Sequence, residues 1–312
     1  GILCPDSKMG AYACDRESLD LFEELFEPMI LQYFNTNQYH PECNFGDLEN
    51  EETKELLDLA RLDNDPKNPM IVSTRVRVAR NLENYPYAAS LTDKQRCEVE
   101  SKIREGTKKF TGDLAGDYTT LGDLSDEVQA KMVEDHILFH NRDEYIAKAG
   151  MYGDWPRGRG AFYNKEKNFM IWVNEEDHMR VISLLKGNDL LGCYGRLVRA
   201  VNALNKIVPL AQHKKWGMIS SCPTNLGTGL RASVHIKIPK TSALKCFESL
   251  CRDMRIDIRG IHGEHSESSD GTFDISNKRR FGMSEIDCLG EMARGVKNLI
   301  RIEKALRGED CC

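Results

Sequence analysis

Apolar residues recur every three or four positions between Arg16 and Phe34 (Leu19, Phe22, Leu25, Phe26, Met29, Ile30 and Tyr33), a spacing that predicts one amphipathic helix. Asn35 to Pro69 turns polar and acidic, which predicts a connection with one short helix and a domain boundary near residue 50. Met70 to Arg80 alternates like a strand, so that Arg75 and Arg77 project to the same face. Helical patterns follow at about 92–110 and 125–139. An apolar strand from Phe169 then runs into Asn174, Glu175, Glu176, Asp177, His178 and Arg180. A long amphipathic helix is expected from Asp189 to Ile207. Beyond it, strand-like runs at Met218–Ser221 and Ala232–Ile238 predict a hairpin around the stretch from Cys222 to Arg231. A helix over Ser242–Met254 and a short strand over Ile256–Ile258 come next. The polar, glycine-bearing run from Arg259 to Thr272 reads as a lid or binding loop, with disorder as the alternative. A strand at Phe273–Ser276 and a closing helix over Ser284–Leu306 complete the pattern.

Composition narrows the class. The chain has 312 residues, enough for one large domain or a large and a small one, and its 29% of charged residues is ordinary for a globular protein. A net charge of −6 gives no global attraction to nucleic acid or to an anionic membrane. No apolar run approaches the roughly 18 residues of a membrane span, and no signal peptide is visible. The 11 cysteines are scattered without a CxxC pair, which argues against zinc and against a disulfide framework, and fits a reducing cytoplasm. The chain starts at Gly1 without an initiator methionine and is read as a fragment or a processed product.

Candidate chemistry gathers at a few places. Two cations on one strand face, Arg75 and Arg77, repel unless an anion sits opposite; the alternative is a solvated edge strand. Arg180, Arg231 and Arg259 add guanidiniums at strand and loop positions, and several such forks suit a polyphosphate. No GxxxxGK[ST] motif is present, so a nucleotide would be bound without a Walker loop. Glu176 and Glu264 lie on separate loops, where paired carboxylates can orient a cationic acceptor and take its proton. Cys222, followed by Pro223 and a Gly-, Thr- and Asn-rich loop, offers a thiol. As a thiolate, its pKa open to depression by nearby arginines, it would add negative charge for that cation. The alternatives are a plain hairpin with one buried cysteine and a solvated loop that carries its own ion pairs.

Four separated motifs carry a resemblance that spans nearly the whole chain: Ser73–Arg77 (STRVR), Trp172–His178 (WVNEEDH), Cys222–Ile236 (CPTNLGTGLRASVHI) and Arg259–His265 (RGIHGEH). Together they resemble the phosphagen (ATP:guanido) kinases. The resemblance implies an α+β fold, with an antiparallel sheet flanked by helices in a glutamine-synthetase-like catalytic domain over 51–312. It also implies a small, truncated all-α domain over 1–50. The implied reaction is reversible transfer of the γ-phosphoryl group of Mg-ATP to a guanidine nitrogen. Arg75, Arg77, His136, Arg180, Arg231 and Arg259 match the nucleotide-phosphate binders, and His235 a position near adenine and ribose. The flanking Ser73, Thr74, Val76, Ala232, Ser233 and Val234 belong to the same implied nucleotide site, as do Gly260, Ile261, His262, Gly263 and Glu264. Glu176 and Glu264 match the carboxylates that clamp the guanidinium, and Cys222 the thiol that contacts it. The resemblance also implies Mg²⁺ held by the nucleotide, with no protein side chain as ligand.

The acceptor is selected in this family by an N-terminal loop, here Ser7, Lys8, Met9, Gly10, Ala11 and Tyr12. Its length and its Gly10-x-Tyr12 pattern resemble those of arginine kinases, implying L-arginine as acceptor and phosphoarginine and ADP as products. Lys8, where a small glycine is common, and His262, where arginine is usual, depart from that pattern. The alternatives are a kinase for taurocyamine or hypotaurocyamine and a non-catalytic pseudokinase. A monomer or homodimer in the cytoplasm is expected, with no nucleic-acid or membrane partner.

Overall fold

The computed structural model describes Asp6, residues 10–260 and residues 271–309. In chain order its helices are α1 (Glu17–Leu21), α2 (Glu23–Phe34), α3 (Glu51–Leu57), α4 (Asp93–Thr107), α5 (Asp126–Glu134), α6 (Glu144–Lys148), α7 (Leu190–Asn205), α8 (Pro239–Ser242), α9 (Phe247–Asp253) and α10 (Glu285–Arg307). The strands are β1 (Ile71–Arg80), β2 (Gly116–Thr120), β3 (Gly160–Asn164), β4 (Phe169–Val173), β5 (Met179–Lys186), β6 (Gln212–His213), β7 (Gly217–Met218), β8 (Leu230–Lys237), β9 (Ile256–Gly260) and β10 (Thr272–Asn277). Eight strands form one mostly antiparallel sheet in the order β2-β3-β4-β5-β1-β8-β10-β9, and β6 and β7 form a separate ribbon. The expected α+β architecture, an antiparallel sheet flanked by helices, is therefore present. The chain divides into two units: residues 1–43, 78–182 and 196–229, and residues 44–77, 183–195 and 230–312.

In the first unit β2, β3 and β4 form an antiparallel meander, with Phe162 opposite Ile171 and Tyr118. Phe110, Phe162 and Phe169 meet edge to face at 5.5–6.2 Å, a favoured aromatic geometry, and Val99 and Ile103 of α4 are buried. A capping box between Thr92 and Gln95 starts α4.

In the second unit β10 pairs antiparallel with β8 on one side and β9 on the other. Helix α10 starts at a Ser284–Asp287 capping box and ends at Gly308 (φ 74°), a left-handed cap that glycine adopts readily. It buries Leu289, Met292, Val296, Leu299 and Ile300, a face at three- and four-residue spacing; such side chains contribute about 1.5–3 kcal/mol each on burial. A Cβ at Gly295 would stand 2.6 Å from Ile256 Cγ2, so only glycine lets α10 lie this close to β9.

Several elements differ from expectation. The single helix over 16–34 is two helices that part at Phe22 (φ −112°, ψ 37°). Hydrogen bonding is nearly continuous across the break, Phe22 N–H reaching Ser18 and Phe26 N–H reaching Phe22, so the apolar period does not register it. Leu19, Phe26 and Ile30 of that stripe are buried, whereas Leu21, Phe22 and Leu25 are exposed. The expected hairpin around Cys222 is absent. Gly217–Met218 pairs with Gln212–His213, and Met218 N–H bonds to Gly227 O, while β8 pairs with β10. The helix expected over 242–254 is shorter, α9 (Phe247–Asp253), and a separate turn of helix, α8, ends at Ser242. Strands β2, β3 and β5 carry no distinctive period and were not anticipated.

Candidate active site

In the first unit, the acidic stretch after β4 is a tight turn with a fixed base. Asn174 takes the left-handed conformation (φ 56°), its N–H bonds to His178 O at 3.0 Å, and its side-chain amide donates to Arg96 O (3.0 Å) and Gly158 O (2.7 Å). Arg159 Nε donates to the Asn174 carbonyl at 3.0 Å, and its guanidinium also serves the carbonyls of Met151, Gly153 and Arg157. The base of the turn is thereby braced by the Asn174 amide and the Arg159 guanidinium on backbone carbonyls.

His178, although it sits among acids, is part of this scaffold. Its Nδ1 accepts from Leu82 N–H at 3.0 Å, so Nε2 carries the proton and donates to Pro86 O at 2.9 Å. Burial pushes its pKa down to about 4, leaving a neutral ring. Asp177 is buried too; burial raises its pKa even though Oδ1 accepts from Asn81 Nδ2 and Ser220 Oγ, each at 2.7 Å.

Glu175 and Glu176 have a different setting. Arg180, on β5, brings Nη1 to 3.1 Å from Oε1 and 3.0 Å from Oε2 of Glu175, and Nη2 to 3.0 Å from Oε2 of Glu176. Its guanidinium also lies over the Trp172 ring at 5.8 Å, a cation–π distance. Burial opposes its charge, but Glu175, Glu176 and Asp177 outweigh that and hold its pKa above the usual value. Trp172 Nε1 donates to Ile137 O at 2.7 Å, fixing the turn that carries exposed His136 (φ 58°).

Cys222 opens a 3₁₀ turn over Pro223–Asn225. Pro223 at its first position has no N–H to satisfy, and Asn225 N–H bonds back to Cys222 O at 2.9 Å. The thiol is buried and lies 3.0 Å from Thr224 Oγ1. Asn225 Nδ2 reaches Glu176 Oε2 at 3.4 Å, so the cysteine turn and the acidic turn meet in this unit. Burial and then the charge of Glu176 push the thiol up to about 12. This corrects the expected depression by arginines: the neighbouring charge that acts on Cys222 is negative, and the thiol is neutral. After the turn, Gly229 (φ 57°) passes so close to β1 that a Cβ would stand 3.0 Å from Ala79 O and 3.1 Å from Arg80 Nη1. The left-handed φ and the close approach together favour glycine there.

Ala13 ties the N-terminal segment to the same turn: its N–H bonds to Ser221 O at 2.9 Å, and Ser221 Oγ donates to Ala13 O at 3.1 Å. Tyr12 packs against Ala88, Ile146 and Met151, following half-buried Ala11 and Gly10 (φ 74°). Ser7, Lys8 and Met9 lie outside the described residues.

In the second unit, one face of the strands is organised around Asp274. Antiparallel register places Asp274 directly opposite His235 on β8 and Arg259 on β9. Arg231 Nη2 donates to Asp274 Oδ2 at 2.6 Å. Burial opposes the carboxylate, but Arg231 outweighs it and holds the pKa below the usual range. Arg259 Nε bonds to Asp257 Oδ2 at 3.3 Å. Along β1, Ser73, Arg75 and Arg77 are half-buried, while Thr74 and Val76 between them are buried, Thr74 donating to Gly187 O at 2.7 Å. On β8, Arg231, Ala232, Ser233 and Val234 are all buried and His235 is half-buried. Gly260 ends β9; Ile261, His262, Gly263 and Glu264 lie outside the described residues.

Asp274 and Asp257 lie outside the motifs visible in the sequence, and Asn225 and Thr224 lie inside one that assigns them no role of their own. Asp274 and Asp257 each show only as a polar residue in a short strand, and their significance depends on a register that periodicity does not supply.

Known proteins resemble this chain in sequence and in fold. Residues 98–306 match the family model described as ATP:guanido phosphotransferase, C-terminal catalytic domain. An arginine kinase of Liolophura japonica is 45% identical over 301 residues, covering 96% of this chain and 84% of the relative. A taurocyamine kinase of Schistosoma mansoni is 42% identical over 298 residues, 95% of this chain and 39% of that protein. Among solved structures, the substrate-free duplicated taurocyamine kinase from Schistosoma mansoni superposes with a TM-score of 0.85 at 42% identity, covering 94% of this chain and 41% of that one. A lombricine kinase gives 0.87 at 34% identity, with 96% and 82% covered.

Proposed function

Since the chain belongs to the ATP:guanido phosphotransferase family, we propose that it transfers the γ-phosphoryl group of Mg-ATP reversibly to L-arginine, giving phosphoarginine and ADP. The observation that carries this reading is the half-buried carboxylate of Glu176, set beside a neutral thiol at Cys222 and already engaged by a guanidinium, that of Arg180. A carboxylate that accepts one guanidinium nitrogen has the charge and setting that a substrate guanidinium needs.

In this reading Glu176 and Glu264 hold the acceptor guanidinium and Cys222 contacts it. Free guanidinium is a very weak acid and a poor nucleophile, so a carboxylate must take its proton as the nitrogen attacks. The same charge that raises the Cys222 pKa favours a cation beside the thiol. Arg75, Arg77, Arg180, Arg231 and Arg259 take the phosphates, with His136 and His235 as further nucleotide contacts, and Mg²⁺ arrives as part of the nucleotide substrate. Neutralising the phosphates and aligning the reacting atoms contribute most of the acceleration. Gly10, Ala11 and Tyr12, with Ser7, Lys8 and Met9, hold the α-carboxylate of arginine. We also propose a division into a helical domain over 1–50 and a catalytic domain over 51–312, and a cytoplasmic monomer or homodimer.

Taurocyamine is the second reading, favoured by the 42% identity to a taurocyamine kinase. A panel of arginine, creatine, taurocyamine and lombricine decides between them. The highest kcat/KM on arginine supports the proposal, and a higher value on taurocyamine transfers the assignment.

A further inference from the structure

The geometry points to Arg180 as a resident guanidinium: without nucleotide it occupies the Glu176 carboxylate, and phosphate binding draws it away and opens that carboxylate to the acceptor. This rests on the reading above, in which Arg180 takes phosphate and Glu176 takes the acceptor.

Arg180 and Glu176 meet as a substrate guanidinium and its carboxylate would. Nη2 lies 3.0 Å from Oε2 in a setting where the two side chains are only 12% and 14% exposed. The same oxygen also receives Asn225 Nδ2 at 3.4 Å, so two nitrogens already share it. An incoming guanidinium that takes this oxygen competes with Arg180, and the cation already there repels it. Glu175 and the Trp172 ring keep a hold on Arg180 through Nη1 and the guanidinium face. Arg180 can thus give up Glu176 by side-chain rotation about its fixed place on β5, without losing every partner. A phosphate group offers that guanidinium a stronger, multiply charged acceptor than one carboxylate.

Two consequences separate this from a static brace. Nucleotide and acceptor bind with positive coupling, and linkage requires the same factor in both directions. Removing the Arg180 charge tightens acceptor binding in the absence of nucleotide even though nucleotide use suffers. A brace that holds Glu176 in position predicts the reverse, since its loss disorders the carboxylate.

The test is calorimetric titration of L-arginine into the full chain, with and without saturating Mg-ADP, which cannot phosphorylate arginine. Wild type is expected to bind arginine about fivefold or more tightly with Mg-ADP. Arg180→Met is expected to bind arginine alone more tightly than wild type does, with the effect of Mg-ADP largely gone. Unchanged wild-type affinity on adding Mg-ADP, or weaker arginine binding by folded Arg180→Met, overturns the inference. Should Arg180→Met fail to fold, the wild-type pair of titrations decides. Phosphoarginine formation by the same wild-type preparation separates the two failures. Turnover without coupling sinks only the inference, and no turnover on arginine sinks the functional reading.

Discussion

Arg231 donates to Asp274 at 2.6 Å across neighbouring strands, with the side chains only 8% and 13% exposed. The pair fixes a cation that otherwise would be buried without compensation, at the centre of a strand face that also carries His235 and Arg259.

Breaking it should be costly. Asp274→Ala leaves a buried arginine and is expected to lower unfolding stability by about 3 kcal/mol. Urea denaturation checks this, and Mg-ATP should restore part of the loss by supplying a new anion. An unchanged midpoint would show that Arg231 is held by other means. Arg231→Ala should raise KM for ATP; unchanged nucleotide kinetics would remove it from phosphate binding.

The Cys222 thiol, pushed up to about 12, should alkylate slowly at pH 8 compared with the exposed Cys14 and Cys246. Its reaction rate should still be rising at pH 10, well below its pKa. Its raised pKa stabilises the fold below the unfolded value of about 8.5, and that contribution is lost as pH rises toward about 12. Peptide mapping after iodoacetamide treatment reads the order, and preferential modification of Cys222 at pH 8 would contradict it. Cys222→Ser should lower turnover more than Cys246→Ser.

His178 makes the fold acid-sensitive. Its folded pKa of about 4 lies below the unfolded value of 6.5, so its stabilisation is complete above 6.5 and is lost as pH falls from there toward 4. Linkage gives about 2 kcal/mol lost between pH 7 and pH 5. Denaturation at both pH values in wild type and His178→Gln tests this: the variant should lose the corresponding part of the slope, and identical slopes would clear His178.

Glu303, on α10, is fully buried and accepts from Thr241 N (2.7 Å), Thr241 Oγ1 (2.8 Å), Lys240 N (3.2 Å) and Arg307 Nε (3.0 Å). Burial opposes its charge, and these donors outweigh that and lower its pKa. Glu303→Ala should cost about 2–3 kcal/mol by orphaning the donors at the start of α8. A thermal midpoint within a degree of wild type would refute that role.

What the sequence made legible were elements with a strong local period, such as α7, α10 and β1, and motifs whose residue types are unusual where they stand. Cys222 before a proline and the acids after β4 were visible for that reason. The link between them was not, because it runs through Asn225, an ordinary loop residue until folding brings it to 3.4 Å from Glu176. The strand-like run before Cys222 does not form the hairpin its pattern predicts, because it pairs locally with Gly227 and β6. The thiol pKa escapes sequence reading for a related reason. Arginines can be counted from sequence, but which charge lies next to the sulfur and how much water is excluded are properties of the fold.

The most direct test of the central claim is phosphorus NMR on the chain incubated with Mg-ATP and L-arginine, alongside Glu176→Gln. A phosphorus–nitrogen product resonance is expected to grow as ATP is converted to ADP, and to be strongly reduced in the variant. ATP left intact with arginine and with every other guanidino compound of the panel would contradict it.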